Sequence, residues 1–245
     1  PLRHVLDFFA ALSGQPAGKR GNRTMDTERF RNEVLKLTQI GIALTSMQDL
    51  DELLEMIVRE ARGFTSADAG SLYLREGDRL RFAVSQNDTL TRRLGPEGER
   101  ALFSSFTLPI SKESIAGYVA ATKKNLNIED AYALPDDAPY GFNPDFDERN
   151  DYRTQSILTV PMMDRNEEVR GVLQLINALD NGQPVAFDRT QEDLVRSLAS
   201  QAAVAVNNAR LTADLKKVHL DTIYRLSVAA EYKDKDTASH IRRMS

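Results

Sequence analysis

Two pairs of apolar segments, each joined by a short polar turn, constrain the fold of this chain most strongly. The stronger pair, residues 155–163 and 168–178, is rich in Val, Ile and Leu. The other pair covers residues 69–75 and 79–85 and is joined at Glu76-Gly77-Asp78. Turns this short join antiparallel strands, whereas parallel strands need a much longer crossover. The sequence therefore predicts an antiparallel sheet built from hairpins.

Apolar residues at helical spacing flank these predicted strands. A stripe over residues 50–61 follows Thr45-Ser46-Met47-Gln48, which we interpret as a capping box, and residues 114–123 predict a second helix. A longer helix runs from about Phe187 to past Lys217, and no proline or glycine occurs from there to the end of the chain. Together these elements predict the α+β class, with an antiparallel sheet, helices on one side and long helices at both ends.

Composition excludes several classes of protein. The 245 residues carry a net charge of −4, which argues against a nucleic-acid binder, and no apolar run is long enough to span a membrane. There is no cysteine, and the only histidines are His4, His219 and His240, so disulfides, thiolate metal sites and a histidine-ligated haem inside the domain are excluded. We expect a cytoplasmic domain without a cofactor.

The central segments resemble those of the GAF family of regulatory sensor modules. The resemblance implies a GAF fold over residues 45–210, dimerisation through the flanking helices and, in some members, cyclic-nucleotide binding. It rests on segments that occur in the family's order: Ala69-Gly70-Ser71-Leu72-Tyr73-Leu74, Asn127-Ile128-Glu129-Asp130-Ala131-Tyr132, Phe142-Asn143 with Asp147, the run from Tyr152 to Met162, and the run from Gly171 to Asn177.

A long connection, residues 129–153, separates the two halves of the predicted sheet. Its many acidic residues allow two interpretations: a solvated loop, or a lid over a ligand in which Phe142 covers an aromatic base and Arg153 and Thr154 meet a phosphate. Calcium is disfavoured because the Asp-x-Asp-x-Asp-Gly spacing does not occur. With the resemblance, the candidate ligand-binding residues are Ser71, Phe142, Asn143, Asp147, Tyr152, Arg153, Thr154 and Gln174.

The chain departs from the signature that cyclic-nucleotide-binding GAF domains often carry. The positions that resemble that signature are Asn177-Ala178, Phe187 and Gln191-Glu192, so the lysine and the aspartate of the signature are both absent. This departure weakens the assignment of a cyclic nucleotide. The alternative interpretation of Asn177 and Phe187 is structural: a hydrogen bond at a strand end and a side chain that fills the core.

The last twenty residues resemble the opening helix of an HD-GYP domain, the cyclic di-GMP phosphodiesterase family. The resemblance implies that Asp236 and His240, four residues apart on one helical face, are the first ligands of a divalent metal, iron or manganese, whose remaining ligands lie further along a longer protein. On this interpretation residues 211–245 are a signalling helix that leads into a truncated output enzyme, and the chain itself has no catalytic residues.

The ends of the chain complete the predicted organisation. Residues 1–26 are turn-rich and predict a loose leader, and residues 27–44 predict a dimerisation helix with a narrow apolar seam. A second seam has Val204, Leu211 and Val218 at intervals of seven, with the polar Asn208, Leu215 and Thr222 four residues after each. We therefore expect a parallel homodimeric sensor for a cyclic nucleotide or another small ligand. The alternatives are a ligand-free dimerising spacer and a GAF-fold sulfoxide reductase, which would need cysteines.

Overall fold

The structure is a computed structural model that describes residues 38–44, 46–47, 49–103 and 106–244, with side chains up to residue 228. The predicted leader (1–26) and residues 27–37 of the predicted dimerisation helix lie outside the described residues. Residues 38–44 are helical, and Leu44, a member of the first predicted seam, is buried within this chain.

A single antiparallel sheet forms the centre of the described chain. Its strand order is β3-β2-β1-β6-β5-β4, and β7 pairs with the far end of β6. Both predicted hairpins, β1–β2 and β5–β6, are confirmed. The strands are β1 (Ala67–Glu76), β2 (Arg79–Asn87), β3 (Thr107–Pro109), β4 (Leu126–Ile128), β5 (Ile157–Met163), β6 (Val169–Asp180) and β7 (Gln183–Val185).

Helices cover both faces of this sheet, and the predicted α+β class is confirmed. The two long helices α1 and α5 pack on one face as predicted, and α3 packs on the opposite face against β5 and β6. The helices are α1 (Leu50–Thr65), α2 (Asp88–Leu102), α3 (Ile115–Thr122), α4 (Asp145–Asn150) and α5 (Arg189–Met244), with a 3₁₀ turn at Ala131–Ala133.

The start of α1 differs from the prediction. The carboxylate of Asp49 accepts hydrogen bonds from the backbone N–H groups of Asp51 (2.9 Å) and Glu52 (3.1 Å), so Asp49 is the N-cap and the predicted capping box at residues 45–48 is wrong. An aspartate directly before the first helical turn satisfies two free N–H groups and also places negative charge at the positive end of the helix dipole.

The side chains of β1 point alternately to the two faces of the sheet, and each face can carry its own layer. Gly70, Leu72 and Leu74 face α1, and a side chain at Gly70 would lie 2.9 Å from Val58, so glycine permits the close approach of helix and strand. Because successive side chains of a strand point to opposite faces, the odd-numbered residues of β1 face the other side of the sheet. A second layer can therefore form there.

Helix α5 changes character along its length. Asp188 and Gln191 cap its start reciprocally, since the backbone N–H of each donates to the other's side chain at 2.8 Å. Residues from Val195 to Ala209 bury a stripe of small and branched side chains against the sheet and α1. From Leu211 to Val228, the large apolar side chains are exposed.

No helix within the described part of the chain combines the length and the hydropathy that crossing a membrane requires.

Candidate ligand-binding site

A cavity of about 300 Å³ lies on the face of the sheet that α1 and α5 leave uncovered. Strands β1, β2 and β6 form its floor, and its walls come from the end of α2, the start of α3 and the connection between β4 and β5. Polar groups concentrate on the floor, and aromatic rings form much of the walls. This arrangement is typical of a site for a small molecule.

A row of polar side chains crosses the floor from strand to strand. Ser85 pairs in register with Ser71, Ser71 with Gln174, and Gln174 with Thr159. The amide of Gln174 donates to the Thr159 hydroxyl at 3.1 Å. The hydroxyls of Ser71 and Ser85 have no hydrogen-bond partner among the described residues, although Ser71 is only 6% exposed. Hydroxyls that line a cavity without protein partners are available to a ligand.

Phenylalanine rings stack along the wall that faces α2. The ring of Phe82 stacks with Phe103 at 5.5 Å and with Phe106 at 4.9 Å between centroids, and Phe103 stacks with Phe146 at 5.2 Å. Phe103 directly follows α2, and Phe146 lies in α4, so this stacking joins two separate segments of the wall. The wall is apolar and can accept the face of a flat ring.

A buried carboxylate holds α4 against the start of β5. Asp147, which is 3% exposed, accepts hydrogen bonds from the Thr154 N–H (2.7 Å), the Thr154 hydroxyl (2.9 Å) and the Tyr132 hydroxyl (2.9 Å). These three hydrogen-bond donors offset the free-energy cost of removing the carboxylate from water. The connection is therefore a bonded wall of the cavity, and the interpretation as a solvated loop does not hold for these residues.

Tyr152 anchors the end of this connection to β1 and β6. Its hydroxyl donates to the Asp68 carboxylate at 2.8 Å and accepts from the Asn177 amide at 3.2 Å. Burial, together with the adjacent Asp68 charge, raises the pKa of Tyr152 far above its ordinary value. Tyr152 is therefore a neutral hydrogen-bonding group at physiological pH and has no role as a base.

The structure brings the predicted candidates together with one exception. Arg153 does not line the cavity: its guanidinium lies 4.5 Å from the centroid of the Tyr132 ring and 3.9 Å from the Asp130 carboxylate, and 62% of its side chain is exposed. Tyr152 and Thr154 point inward, so Arg153 between them points outward, and the predicted contact with a ligand phosphate has no support. The candidates that line the cavity are Ser71, Phe142, Asn143, Asp147, Tyr152, Thr154 and Gln174.

Residues that the sequence analysis missed form the α2 side of the cavity. Ser85 and Asn87 end β2, and Phe103 and Phe106 lie beyond α2, a helix that was not predicted because Gly95 (φ 74°) and Pro96 interrupt its pattern. Two signals were available. Alternation along β2 identifies Ser85 as a neighbour of Ser71, and Asn87 is a strong N-cap residue whose side chain accepts from the Leu90 N–H at 2.8 Å.

The positions of the cyclic-nucleotide signature have structural roles here. Asn177, in a left-handed conformation (φ 56°), accepts from the Gln155 N–H at 2.7 Å and donates to the Arg153 carbonyl at 2.8 Å. Phe187 is buried, and the Gln191 amide donates to the Thr65 carbonyl at 3.1 Å. The structural interpretation of Asn177 and Phe187 is confirmed.

The predicted metal ligands lie near the end of α5. The backbone at Asp236 and His240 is helical, but their side chains lie outside the described residues. Across the described residues, no group of three or more Asp, Glu, His or Cys side chains is arranged to hold a metal ion.

The fold and the cavity together define a small-molecule-binding module, and comparison with known proteins identifies its family. The family model for the GAF domain matches residues 49–206. The chain therefore belongs to the GAF family.

Curated relatives of this chain include cyclic-nucleotide phosphodiesterases. The chain is 30% identical over 167 residues to a probable 3',5'-cyclic phosphodiesterase, pde-5, of Caenorhabditis elegans; the match covers 66% of this chain and 21% of the relative. It is 32% identical over 166 residues to a cGMP-specific 3',5'-cyclic phosphodiesterase of Drosophila mojavensis, with 66% of this chain and 14% of the relative covered. The matched part of the chain thus spans 21% or less of the length of these proteins.

Solved structures confirm the fold. The GAF domain of an Acinetobacter phosphoenolpyruvate-protein phosphotransferase matches with a TM-score of 0.54 at 22% identity, covering 74% of this chain and 97% of that one. A GAF domain/HD domain protein from Geobacter sulfurreducens matches with a TM-score of 0.51 at 21% identity, covering 69% and 98%. At these identities the likeness extends to the fold alone.

Proposed function

We propose that this domain senses a small molecule bound in the cavity and thereby regulates a C-terminal HD-type cyclic di-GMP phosphodiesterase. The observation that carries the sensing role is the cavity itself, with the unpartnered hydroxyls of Ser71 and Ser85 on its floor. A ligand-free spacer, the alternative, gains nothing from a cavity, since filling it with side chains would add packing energy.

A cavity-filling variant tests sensing against the spacer alternative. Thermal unfolding of dialysed protein is measured with and without a low-molecular-weight cell extract, for the wild type and for Ser71→Met. A ligand that binds the folded state raises the melting temperature of the wild type, and the variant loses the rise. Ser200→Met, on the exposed side of α5, is the matched control and keeps it. A wild type that does not respond to extract would support the spacer.

The proposed output enzyme rests on the resemblance of the C-terminal residues. The curated relatives favour a different output, a cyclic-nucleotide phosphodiesterase, but their similarity covers 66% of this chain and 21% or less of their own length. In favour of the HD type are Asp236 and His240, which lie at helical spacing in the C-terminal residues. In this proposal a divalent metal, iron or manganese, belongs to the output domain, and the GAF domain holds no cofactor.

Substitution at His240 distinguishes the two outputs. In the longer protein that carries this chain, His240→Ala abolishes cyclic di-GMP hydrolysis and lowers the bound metal, because a ligand is lost. His219→Ala, on the exposed surface of the same helix, is the matched control and keeps both. Undiminished hydrolysis in His240→Ala, or hydrolysis of cyclic GMP alone, contradicts the HD assignment.

The proposed route of the signal is helix α5 in a homodimer. This helix runs without a break for 56 residues, from the part that packs on the sheet to the predicted metal ligands. A change in sheet–helix packing on ligand binding can therefore displace its far end as a rigid element. We further propose a cytoplasmic location and no nucleic-acid partner, in keeping with the absence of cysteine and the net charge of −4.

A further inference from the structure

We infer that the cavity takes an uncharged planar heteroaromatic molecule of the nucleobase or nucleoside kind, and that it discriminates against phosphorylated nucleotides. This inference rests on the proposed sensing function and names the ligand class. Three independent features of the lining support it: its charges, the polar row on its floor and its aromatic wall.

The charge inventory disfavours an anionic ligand. Among the described residues that line the cavity there is no Lys, Arg or His, and Asp147 is the one carboxylate. A phosphate would lose its hydration without gaining a cation, which is costly in a partly enclosed site. The start of α3 offers only the partial charge of a helix end, about half a unit, and its cap, the Ser114 hydroxyl, already accepts from the Gly117 N–H.

A cationic ligand is disfavoured for a related reason. Both oxygens of Asp147 already accept hydrogen bonds, from Thr154 and Tyr132. A ligand cation that approached Asp147 would compete with donors that hold the wall together. The ligand that fits both constraints carries no net charge.

The floor specifies the hydrogen bonds that the ligand makes. Ser85, Ser71 and Gln174 lie side by side on three neighbouring strands, and the strand spacing of about 4.8 Å spreads them over roughly 10 Å. The hydroxyls of Ser71 and Ser85 both donate and accept, and Gln174 keeps a second amide N–H beside the one that it donates to Thr159. A row of such groups matches the edge of a heteroaromatic ring system on which donors and acceptors alternate.

The walls specify the shape of the ligand. Phe103, Phe146 and Phe142 line the cavity on the sides away from the floor, and the stacked pair Phe103–Phe146 presents a continuous apolar surface. Aromatic side chains favour flat, polarisable partners over aliphatic ones of the same size. A planar ring with one polar edge satisfies the floor and the walls together.

Matched ligand pairs test the inference by isothermal titration calorimetry on this protein. The four ribonucleosides and their free bases are compared with the corresponding 3',5'-cyclic monophosphates, which differ from the nucleosides by the charged group. We expect at least one nucleoside or base to bind at least tenfold more tightly than its cyclic phosphate. A cyclic phosphate that binds as tightly, or no binding of any nucleoside or base at millimolar concentration, overturns the inference.

Variants on the floor localise the binding. Ser71→Ala and Ser85→Ala each weaken the binding of that compound about fivefold, the effect of one lost neutral hydrogen bond. The control Ser200→Ala leaves the affinity for that compound unchanged. If Ser71→Ala and Ser85→Ala also leave the affinity unchanged, the compound binds elsewhere and the inference is contradicted. Failure here is distinguishable from failure of the sensing role. A protein that is stabilised by cell extract but binds no nucleoside or base remains a sensor, whereas one that responds to neither is a spacer.

Discussion

Asp147 and Thr154 are joined by two hydrogen bonds, because the carboxylate accepts from both the backbone N–H (2.7 Å) and the hydroxyl (2.9 Å) of Thr154. This pair joins residues seven positions apart in the sequence and fixes α4 at the point where the chain enters β5. The wall of the cavity therefore depends on one buried carboxylate rather than on a continuous apolar core.

Removal of that charge is the first prediction. Asp147→Asn keeps one carbonyl acceptor but replaces the other oxygen with a donor that faces donors, so we expect the free energy of unfolding to fall by about 1–3 kcal/mol. Urea denaturation measures the loss. The control is Asp145→Asn, at an exposed position two residues earlier in the same helix. It should change the free energy of unfolding by less than about 0.5 kcal/mol. Equal stability of the two variants contradicts the role assigned to Asp147.

The second prediction separates backbone strain from hydrogen bonding at Asn177. This residue has φ of 56° and hydrogen bonds to the backbone of Gln155 and Arg153. Asn177→Gly loses the side-chain hydrogen bonds but relaxes in the left-handed region, whereas Asn177→Ala loses them and is strained as well.

We therefore expect both Asn177 variants to be less stable than the wild type, and the alanine variant to be less stable than the glycine variant by about 1 kcal/mol. Chemical denaturation of the three proteins side by side checks the order. If the glycine variant were the less stable of the two, the strain argument would be wrong.

Hairpins, capping residues and periodicity explain how much of the fold could be predicted from sequence. The β1–β2 and β5–β6 hairpins depend on local turns and alternating side chains, and α3 begins at the cap Ser114 and ends at Lys123, as predicted. Helix α2 was missed because a positive φ at Gly95, followed by proline, divides its apolar pattern into pieces too short to recognise. Local rules therefore sufficed wherever the element was itself continuous.

The candidate site was predictable in part for a different reason. Ser71 and Gln174 lie on predicted strands, so their shared face follows from alternation. The direction of the Arg153 side chain does not follow from alternation, because Arg153 lies outside the strands. Its position is set by hydrogen bonds to other segments: the Asn177 amide donates to the Arg153 carbonyl, and the Asp147 carboxylate accepts from the adjacent Thr154. Such long-range hydrogen bonds leave no periodic signal in the sequence.

The third prediction concerns pH. Glu99 is 7% exposed, its Oε1 has no partner in the described part of the chain, and its Oε2 accepts from the Thr91 hydroxyl at 3.0 Å. Burial raises its pKa above the ordinary value of 4.5, and the nearby Glu55 adds to this rise, while hydrogen bonds from Thr91 and Asn87 and the charge of Arg62 oppose it.

A carboxyl whose pKa is higher in the folded state favours folding when it is protonated. Its contribution is complete below about pH 4.5 and is lost as pH rises through the folded pKa. Glu99→Gln does not titrate, so its stability should equal that of the wild type near pH 4 and exceed it near pH 7, where the buried wild-type carboxyl is charged at a cost. The exposed Glu97→Gln is the matched control. A difference that does not depend on pH would contradict the assignment.

The fourth prediction is that the purified domain is colourless. No histidine lies between His4 and His219, and the chain has no cysteine, so a haem has no axial imidazole within the GAF segment and a bilin has no thiol for attachment. The absorption spectrum from 350 to 700 nm, roughly the visible range in which haem and other redox cofactors absorb, should be flat after dialysis. A band that survives dialysis contradicts it.

The fifth prediction is a parallel homodimer through α5. At 100° per residue, Leu211, Leu215 and Val218 lie on the side of the helix opposite its buried stripe, and all three are at least 59% exposed in the single chain. An apolar seam of this spacing is stabilised when a second copy covers it. We expect light scattering to give twice the chain mass at tens of micromolar, where weak dimers form.

Paired substitutions test which face of α5 associates. Leu215→Asp places a charge in the seam and should give a monomer, whereas Leu220→Asp, the same change on another face of the helix, should leave the dimer intact because Leu220 lies about 160° away from the seam. Asn208 is exposed on the seam side, and its pairing with its copy would fix the register at some cost in stability. Asn208→Leu should therefore strengthen the dimer or change the number of chains in it. A monomeric wild type, or dissociation by Leu220→Asp but not by Leu215→Asp, contradicts the seam.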